Sequence, residues 1–435
     1  MKVYKFGGAS VKDAAAVKNV AKIIQDHAED DIWVVVSAMG KTTNALESLL
    51  EAYRQGLDTR EQILEQIENY HREILDGLFP FSGHEVFLTL NTTLERLKET
   101  LENRAKEDYD KIYDTVVAFG EDLSAMILSA YLDDRSYLNT WVDARDVILT
   151  DSTFREGKVD FVKTGKKVKE RWNSIVESTN ITGKGLLISQ GFIGSDGKNT
   201  VTLGREGSDY TGAILAWSLG ATEITIWKDV PGMLNADPKF YPDAERIPSL
   251  SYQEATELSY YGASVIHPKT LKPLQNKDIP LYVRSFMNPT AEGTVIHHDE
   301  SQDHSHPSFI FKQAQVLISI TPKDFSFIAE DNMSQIFALL SKNGLKANLT
   351  QNSALSFSIC MDDRGKRVEE FMEECRLNYK TLYNQGLSLL TVRHYDEDTL
   401  SRLLKNREVL VEQRSRKTAR FVLKGGFNLS TPKPR

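Results

Sequence analysis

Short apolar runs alternate with longer helical patterns through the first 300 residues. Val3–Phe6, Ile32–Ser37, Leu138–Asp143, Gly185–Gln190, Glu223–Trp227 and Pro280–Ser285 suit strands, whereas Asp13–Gln25 and Tyr210–Ser218 carry apolar residues at helical spacing. That order predicts a mostly parallel sheet covered by helices on both faces. Between Thr43 and Leu132 the strand signals vanish, and Ile63, Ile67, Tyr70, Ile74 and Leu78 fall on one helical stripe. A helical lid or interface subdomain is expected over residues 43–132, its stripes serving as core or dimer contacts rather than a cofactor site.

The pattern breaks at "HHDESQDHSHPS", His297 to Ser308, which is polar and ends at Pro307. We place a first domain at residues 1–298, a linker at 299–308 and a second region at 309–435. The four histidines of this stretch read as solvated linker rather than metal ligands, since no ordered element fixes their geometry. Beyond it, strand Val316–Thr321, a helix around Ser334–Asn343, strands Lys346–Asn352 and Ala354–Met361, a helix around Lys366–Cys375 and a strand near Tyr379–Tyr383 give the β-α-β-β-α-β order of a ferredoxin-like module. Leu387–Arg393, a helix near Asp398–Lys405 and the runs "REVLVEQ" and "TARFVLK" predict an abbreviated second copy.

Composition narrows the class. The chain has 435 residues, 40% hydrophobic and 26% charged, with a formal net charge of −8. These values fit a globular α/β protein with a real core and argue against nucleic acid, which calls for a basic stripe. No apolar stretch is expected to approach the roughly 20 residues of a membrane span. The N-terminus enters a strand without a signal-peptide pattern, so a cytoplasmic protein is expected. Cys360 and Cys375 are its two cysteines, without metal-ligand spacing, and read as packing residues.

Three stretches carry chemistry. "KFGGAS" sets Lys5 at a strand end before Gly7 and Gly8, where bare backbone N–H groups and a lysine suit a phosphate; the spacing is neither a P-loop nor a dinucleotide fingerprint. An ordinary strand-to-helix turn with a solvated Lys5 is the bland alternative. "VTLGREGSDYTGAILAWSLGA" places Arg205, Ser208 and Asp209 at a helix mouth, an anion site or simply a capped helix start. "WKDVPGMLNADPK" puts Lys228 and Asp229 at the carboxyl end of a strand, where ligands of open α/β sheets bind.

Taken together and in order, "KFGGASV", "VVSAMGKTTN", "FGEDLSA", "TLGREGSDYTGAILA", "WKDVPGMLNADPK" and "YYGASVIHPKTL" resemble the aspartokinases of the amino-acid kinase superfamily, over nearly all of the first 300 residues. The downstream modules resemble their ACT regulatory domains. The resemblance implies an α/β amino-acid kinase fold followed by ferredoxin-like ACT modules. It also implies phosphorylation of the β-carboxylate of L-aspartate by Mg-ATP, the first step toward lysine, threonine and methionine. It would place Lys5 on the transferring phosphoryl group with Gly7 and Gly8 donating backbone N–H groups, Arg205 on a substrate carboxylate and Glu121 on the ammonium. Ser37, Thr43 and Ser208 would bond the remaining groups, Asp209 would organise Mg²⁺ or Lys5, and Lys228, Asp229 and Lys239 would face the nucleotide. Two residues depart from the family: Ser264 stands where many members have a phosphate-facing lysine, and Glu206 replaces a common glycine. An amino-acid effector such as lysine or threonine at the ACT region, and a homodimer, are further implications. Another amino-acid kinase, acting on glutamate, acetylglutamate or carbamate, and a catalytically silent amino-acid sensor are the rival readings.

Overall fold

The computed structural model describes residues 1–27, 29–178, 185–263, 266–305, 307–324 and 326–427. Two compact units emerge: Met1–Met233, Arg246–Thr256 and Val265–Gln302 form one, and Leu234–Glu245, Glu257–Ser264 and Asp303–Arg435 the other. From the N-terminus the chain runs β1 (Lys2–Phe6), α1 (Ala14–Gln25), β2 (Ile32–Val36), α2 (Thr42–Gln55), α3 (Arg60–Leu78), α4 (Glu85–Arg104), α5 (Tyr109–Asp134), β3 (Thr140–Trp141), α6 (Ala144–Val147) and α7 (Phe161–Ser178). It continues with β4 (Leu186–Gln190), β5 (Ile193–Ser195), β6 (Thr200–Thr202), α8 (Gly207–Leu219), β7 (Glu223–Lys228), β8 (Ser249–Ser251), α9 (Tyr252–Tyr261), α10 (Pro268–Gln275), β9 (Leu281–Ser285) and β10 (Thr294–His297).

The first unit is built on an eight-stranded sheet in the order β3-β4-β2-β1-β7-β9-β10-β8, parallel except where β10 runs against β9. Its central strand β2, Ile-Trp-Val-Val-Val, is buried throughout, as a parallel strand covered on both faces must be. In register, Phe6 aligns with Val36 and Trp227, and Val36 with Gln190. The loops that follow β1, β2, β4 and β7 therefore leave the sheet side by side. Helices α2 to α5 share one continuous hydrophobic core with β1 and β2, from Tyr4, Phe6 and Val34 to Leu46, Leu90 and Leu123.

Two sequence expectations need correction in this unit. Helix α5 is in fact long and apolar enough to cross a membrane; most of that stretch is buried within the fold, which is how a core helix looks. The expected strand Leu138–Asp143 is cut to Thr140–Trp141, because the Asn139 amide is tied to Ser129 and Asp133 at the end of α5 and joins the sheet only afterwards. The hairpin of β5 and β6, and strands β8 and β10, carried too few residues to be read from sequence.

The second unit comprises β11 (Ser308–Pro322), α11 (Glu330–Lys342), β12 (Ala347–Asn352), β13 (Phe357–Asp362), α12 (Lys366–Asn378), β14 (Tyr379–Arg393), α13 (Glu397–Leu404), β15 (Val409–Arg414) and β16 (Thr418–Lys424). They form one six-stranded antiparallel sheet, β12-β13-β11-β14-β16-β15. Tyr379–Tyr383 and Leu387–Arg393, expected as separate strands, are one strand, and the expected Val316 start lies inside a strand that begins at Ser308. β11 and β14 pair along both halves, with register shifts near Ala314 (φ +50°) and Gly386 (φ +68°). Each long strand thus serves two modules. The second copy completes its four strands with Ser308–Lys312 from the start of the unit. Its sheet face is covered by α13 and by the Leu234–Glu245 segment, whose Ala236, Tyr241 and Ala244 pack with Phe309, Leu390 and Phe421. Cys360 and Cys375 are buried, and burial pushes both thiols up to about 12. Of the histidines near 300, His297 belongs to β10 and His304 packs edge-on against His394; His306 lies outside the described residues.

Candidate active site

The aligned strand ends of the first unit open into a cleft of about 330 Å³ lined by Lys5, Gly8, Ser37, Ala38, Gly40, Thr43, Glu121, Phe192, Glu206, Gly207, Ser208, Asp209 and Lys228. One ion triad dominates it. Lys5 Nζ lies 2.6 Å from Asp209 Oδ1, and Lys228 Nζ lies 3.2 Å from Oδ2 of the same carboxylate. Burial alone would raise the Asp209 pKa, but the two ammoniums outweigh it and hold the group below the usual carboxylate range. Two cations against one anion leave the triad itself with a net positive charge at the first turn of α8, the end of a helix that favours anions.

The glycines are there for contact. A Cβ on Gly8 would sit 2.7 Å from Ala38 O and 3.1 Å from Gly40 O, so the loops after β1 and β2 touch backbone to backbone, with Gly40 N–H donating to Gly8 O. A Cβ on Gly7 would lie 3.5 Å from Lys5 Nζ. Gly7 is also the N-cap of a single 3₁₀ turn, Gly8–Val11, which leads into α1.

The opposite wall is helix α5. Glu121 is wholly buried; burial drives its pKa well above the ordinary value, opposed by the Lys5 charge and a hydrogen bond from Ala38 N–H. Its Oε2 has no hydrogen-bond partner among the described residues. Two turns earlier on α5, the buried Asp114 carboxylate accepts Arg155 N–H at 2.9 Å, Thr202 N–H at 2.8 Å and Thr202 Oγ1–H at 2.7 Å. One helix therefore fixes both Glu121 and β6, from which the Arg205 loop departs. Asp122 accepts from Arg145 at 2.5 Å and Gln190 Nε2 at 2.8 Å, anchoring α5 to β4 and α6.

Of the residues singled out in the sequence, Lys5, Gly8, Ser37, Thr43, Glu121, Ser208, Asp209 and Lys228 converge on this cleft. Arg205 is exposed one residue from Glu206 and has no ion-pair partner among the described residues. Asp229 is exposed and does not line the cleft, Lys239 is exposed and belongs to the second unit, and Ser264 lies outside the described residues. Phe192 was not anticipated; nothing in "QGFIG" marks it, although its φ of +69° does so in three dimensions.

Residues 1–285 match the sequence model of the amino acid kinase family. The lysine-sensitive aspartokinase 3 of Escherichia coli (strain K12) is 31% identical over 365 residues, covering 83% of this chain and 78% of that protein. An aspartokinase of Chlamydia pneumoniae is 30% identical over 395 residues, with 90% and 84% covered. The crystal structure of E. coli aspartokinase III with lysine and aspartate superposes with a TM-score of 0.81 at 27% identity, covering 98% of this chain and 96% of the other. A second structure of that enzyme, with aspartate and ADP, gives 0.79 at the same identity and coverage.

Proposed function

The chain belongs to the amino acid kinase family and is an aspartate kinase, and we propose that the cleft carries out the transfer from ATP to the β-carboxylate of L-aspartate with the residues just described. The observation that carries this assignment is the Lys5–Asp209–Lys228 triad facing Glu121 across one cleft. Phosphoryl transfer asks the protein to position reactants and to neutralise charge spread over the γ-phosphate oxygens. Lys5 and Lys228 supply that charge, and Asp209 holds both ammoniums where the phosphates arrive. The acceptor carboxylate is already ionised near neutral pH, so the site needs no general base.

At the other end Glu121 receives the substrate ammonium, which its unpartnered Oε2 awaits, and Arg205 closes onto a substrate carboxylate with its planar fork. Ser37, Thr43 and Ser208 hydrogen-bond the remaining oxygens. Gly7 and Gly8 offer backbone N–H groups to phosphate, while Lys228 and Asp229 face the nucleotide. Mg²⁺ would arrive on the ATP phosphates, where it neutralises charge: no cluster of three metal-ligating side chains exists among the described residues, and Mg²⁺ on nucleotides needs few protein carboxylates. Asp209, engaged by two ammoniums, is better suited to organising them than to ligating the metal.

The second unit, with its paired ferredoxin-like modules, is assigned the binding of an amino-acid effector, lysine or threonine, and dimerisation. Support comes from the E. coli relative, which is lysine-sensitive. A coupled assay of ADP release with aspartate, glutamate and acetylglutamate, repeated with lysine and with threonine, tests both halves. Turnover with aspartate alone supports the site; a preference for another acceptor rejects it.

A further inference from the structure

Glu206 occupies a conformation that costs it energy. Its φ of +53° and ψ of 32° are left-handed, a region that glycine enters freely and a side chain does not, at the residue that caps α8. Its side chain makes no capping hydrogen bond in return. Instead Glu206 lines the cleft, and its Oε2 is buried with no hydrogen-bond partner among the described residues. A strained residue with an unsatisfied buried carboxylate oxygen, set in an active-site wall, points to a ligand contact.

The loop is held in this shape from outside. Lys269 of α10 donates from Nζ to Leu203 O at 2.7 Å, and Leu203 N–H donates to Phe192 O at 2.8 Å. Phe192 is itself left-handed, and its ring occupies the space a side chain at Gly207 would need. Arg155, whose N–H is held by Asp114, is a third left-handed residue on the same side, and its carbonyl lies 3.0 Å from where a Cβ on Gly204 would be. Among the described residues, three of the eight non-glycine residues with positive φ thus surround one loop.

We infer that Glu206 is a specificity-determining residue of this enzyme, its carboxylate receiving the ammonium group of the amino-acid substrate together with Glu121. The inference rests on the aspartate kinase reading of the cleft. Glu121 and Glu206 each present one buried oxygen without a donor, and a primary ammonium brings three N–H donors, enough for both. An ionised phosphate brings no donor and could satisfy neither; the amino-acid end is favoured because Glu206 lines the same cleft as Glu121, the carboxylate placed on the ammonium. A metal ion is the poorer occupant, since no third ligating side chain joins them among the described residues. Two carboxylates around one ammonium discriminate strongly against acids that lack the amino group, because both oxygens then stay desolvated and unpaired.

The test uses the full-length enzyme, its Glu206→Gly and Glu206→Gln variants, aspartate as substrate, and succinate, which keeps both carboxylates and lacks the amino group, as a competitive inhibitor. Glu206→Gly is expected to melt at a higher temperature than wild type, because glycine relieves the left-handed strain, and yet to raise the aspartate KM ten-fold or more with the ATP KM unchanged. Glu206→Gln should raise the aspartate KM similarly without the gain in melting temperature. The succinate inhibition constant should not rise in either variant, and should fall in Glu206→Gly, which removes one of the two carboxylates that succinate leaves unpaired. An aspartate KM within two-fold of wild type in Glu206→Gly overturns the inference, as does an equal weakening of aspartate and succinate, the mark of a merely structural role. Failure of the unaltered enzyme to phosphorylate aspartate would overturn the reading of the cleft itself, a result visible before any variant is compared.

Discussion

Lys5 at the end of the first strand and Asp209 in the first turn of α8 meet at 2.6 Å, both nearly fully buried. Each would be costly there alone; a desolvated ammonium and a desolvated carboxylate persist only as partners. Lys228, less buried, completes the arrangement from the end of β7. The triad joins three elements that come together only in the folded sheet, which makes it both a structural knot and the positive end of the active site.

The rate is expected to depend on Lys5 more than substrate binding does. Charge at a transferring phosphoryl group acts mainly in the transition state, so Lys5→Ala should lower kcat by about 10²–10³ with much smaller changes in either KM. Steady-state kinetics check this directly. A kcat within a few-fold of wild type would remove Lys5 from the reaction.

Asp209→Asn should harm both stability and turnover. It leaves Lys5 and Lys228 beside a neutral amide, and breaking a buried ion pair from one side typically costs about 3–5 kcal/mol. The same change frees both ammoniums from their common anchor, so kcat should fall along with the melting temperature. If kcat fell while the melting temperature held, Asp209 would be a reacting group and not an organiser.

Glu121 gives the aspartate dependence a pH signature. Burial raises its pKa, so Glu121 takes up a proton at a higher pH than an ordinary carboxylate, and that proton must leave before an ammonium can be received. Aspartate binding therefore releases a proton, and kcat/KM for aspartate should rise with pH through the Glu121 pKa. The corresponding value for ATP should not follow it. Glu121→Gln should raise the aspartate KM and flatten that rise; an unchanged pH profile in the variant would place the titration elsewhere.

Local sequence carried the catalytic half well, for a physical reason. "KFGGAS" is a strand-turn-helix junction of the parallel sheet, whose register brings the ends of β1, β2 and β7 to one edge, whereas "GREGSD" follows β6 of the antiparallel β5–β6 hairpin and opens α8. Asp114 was invisible because its role depends on accepting hydrogen bonds from Arg155 and Thr202, far along the chain. The second module looked truncated because its fourth strand, Ser308–Lys312, precedes the first module in sequence. The strain at Glu206 could not be read either: a glutamate after "GR" says nothing of its φ.

His71 supplies a prediction about stability that is independent of catalysis. It is buried on α3, its Nδ1 donating to Ile67 O at 2.7 Å while Nε2 lies 3.4 Å from Thr42 Oγ1, and that hydroxyl donates to Met39 O at 2.7 Å. The ring is neutral: burial lowers its pKa from 6.5 to about 4, against a small opposing effect of the Ile67 carbonyl. Because the folded value lies below the unfolded one, the unfolded chain takes up the proton first as pH falls. The native state thus keeps its full stability above about pH 6.5 and loses it progressively toward pH 4, by about 2 kcal/mol at pH 5. Thr42 sits beside the cleft residue Thr43 at the start of α2, so acid should loosen the substrate wall together with the fold. His71→Phe fills similar volume without a titrating group. Its melting temperature should be lower than wild type at pH 7, from the lost hydrogen bond, but should fall several degrees less than wild type between pH 7 and pH 5. Equal acid-induced losses in the two proteins would show that His71 is not buried as a neutral ring.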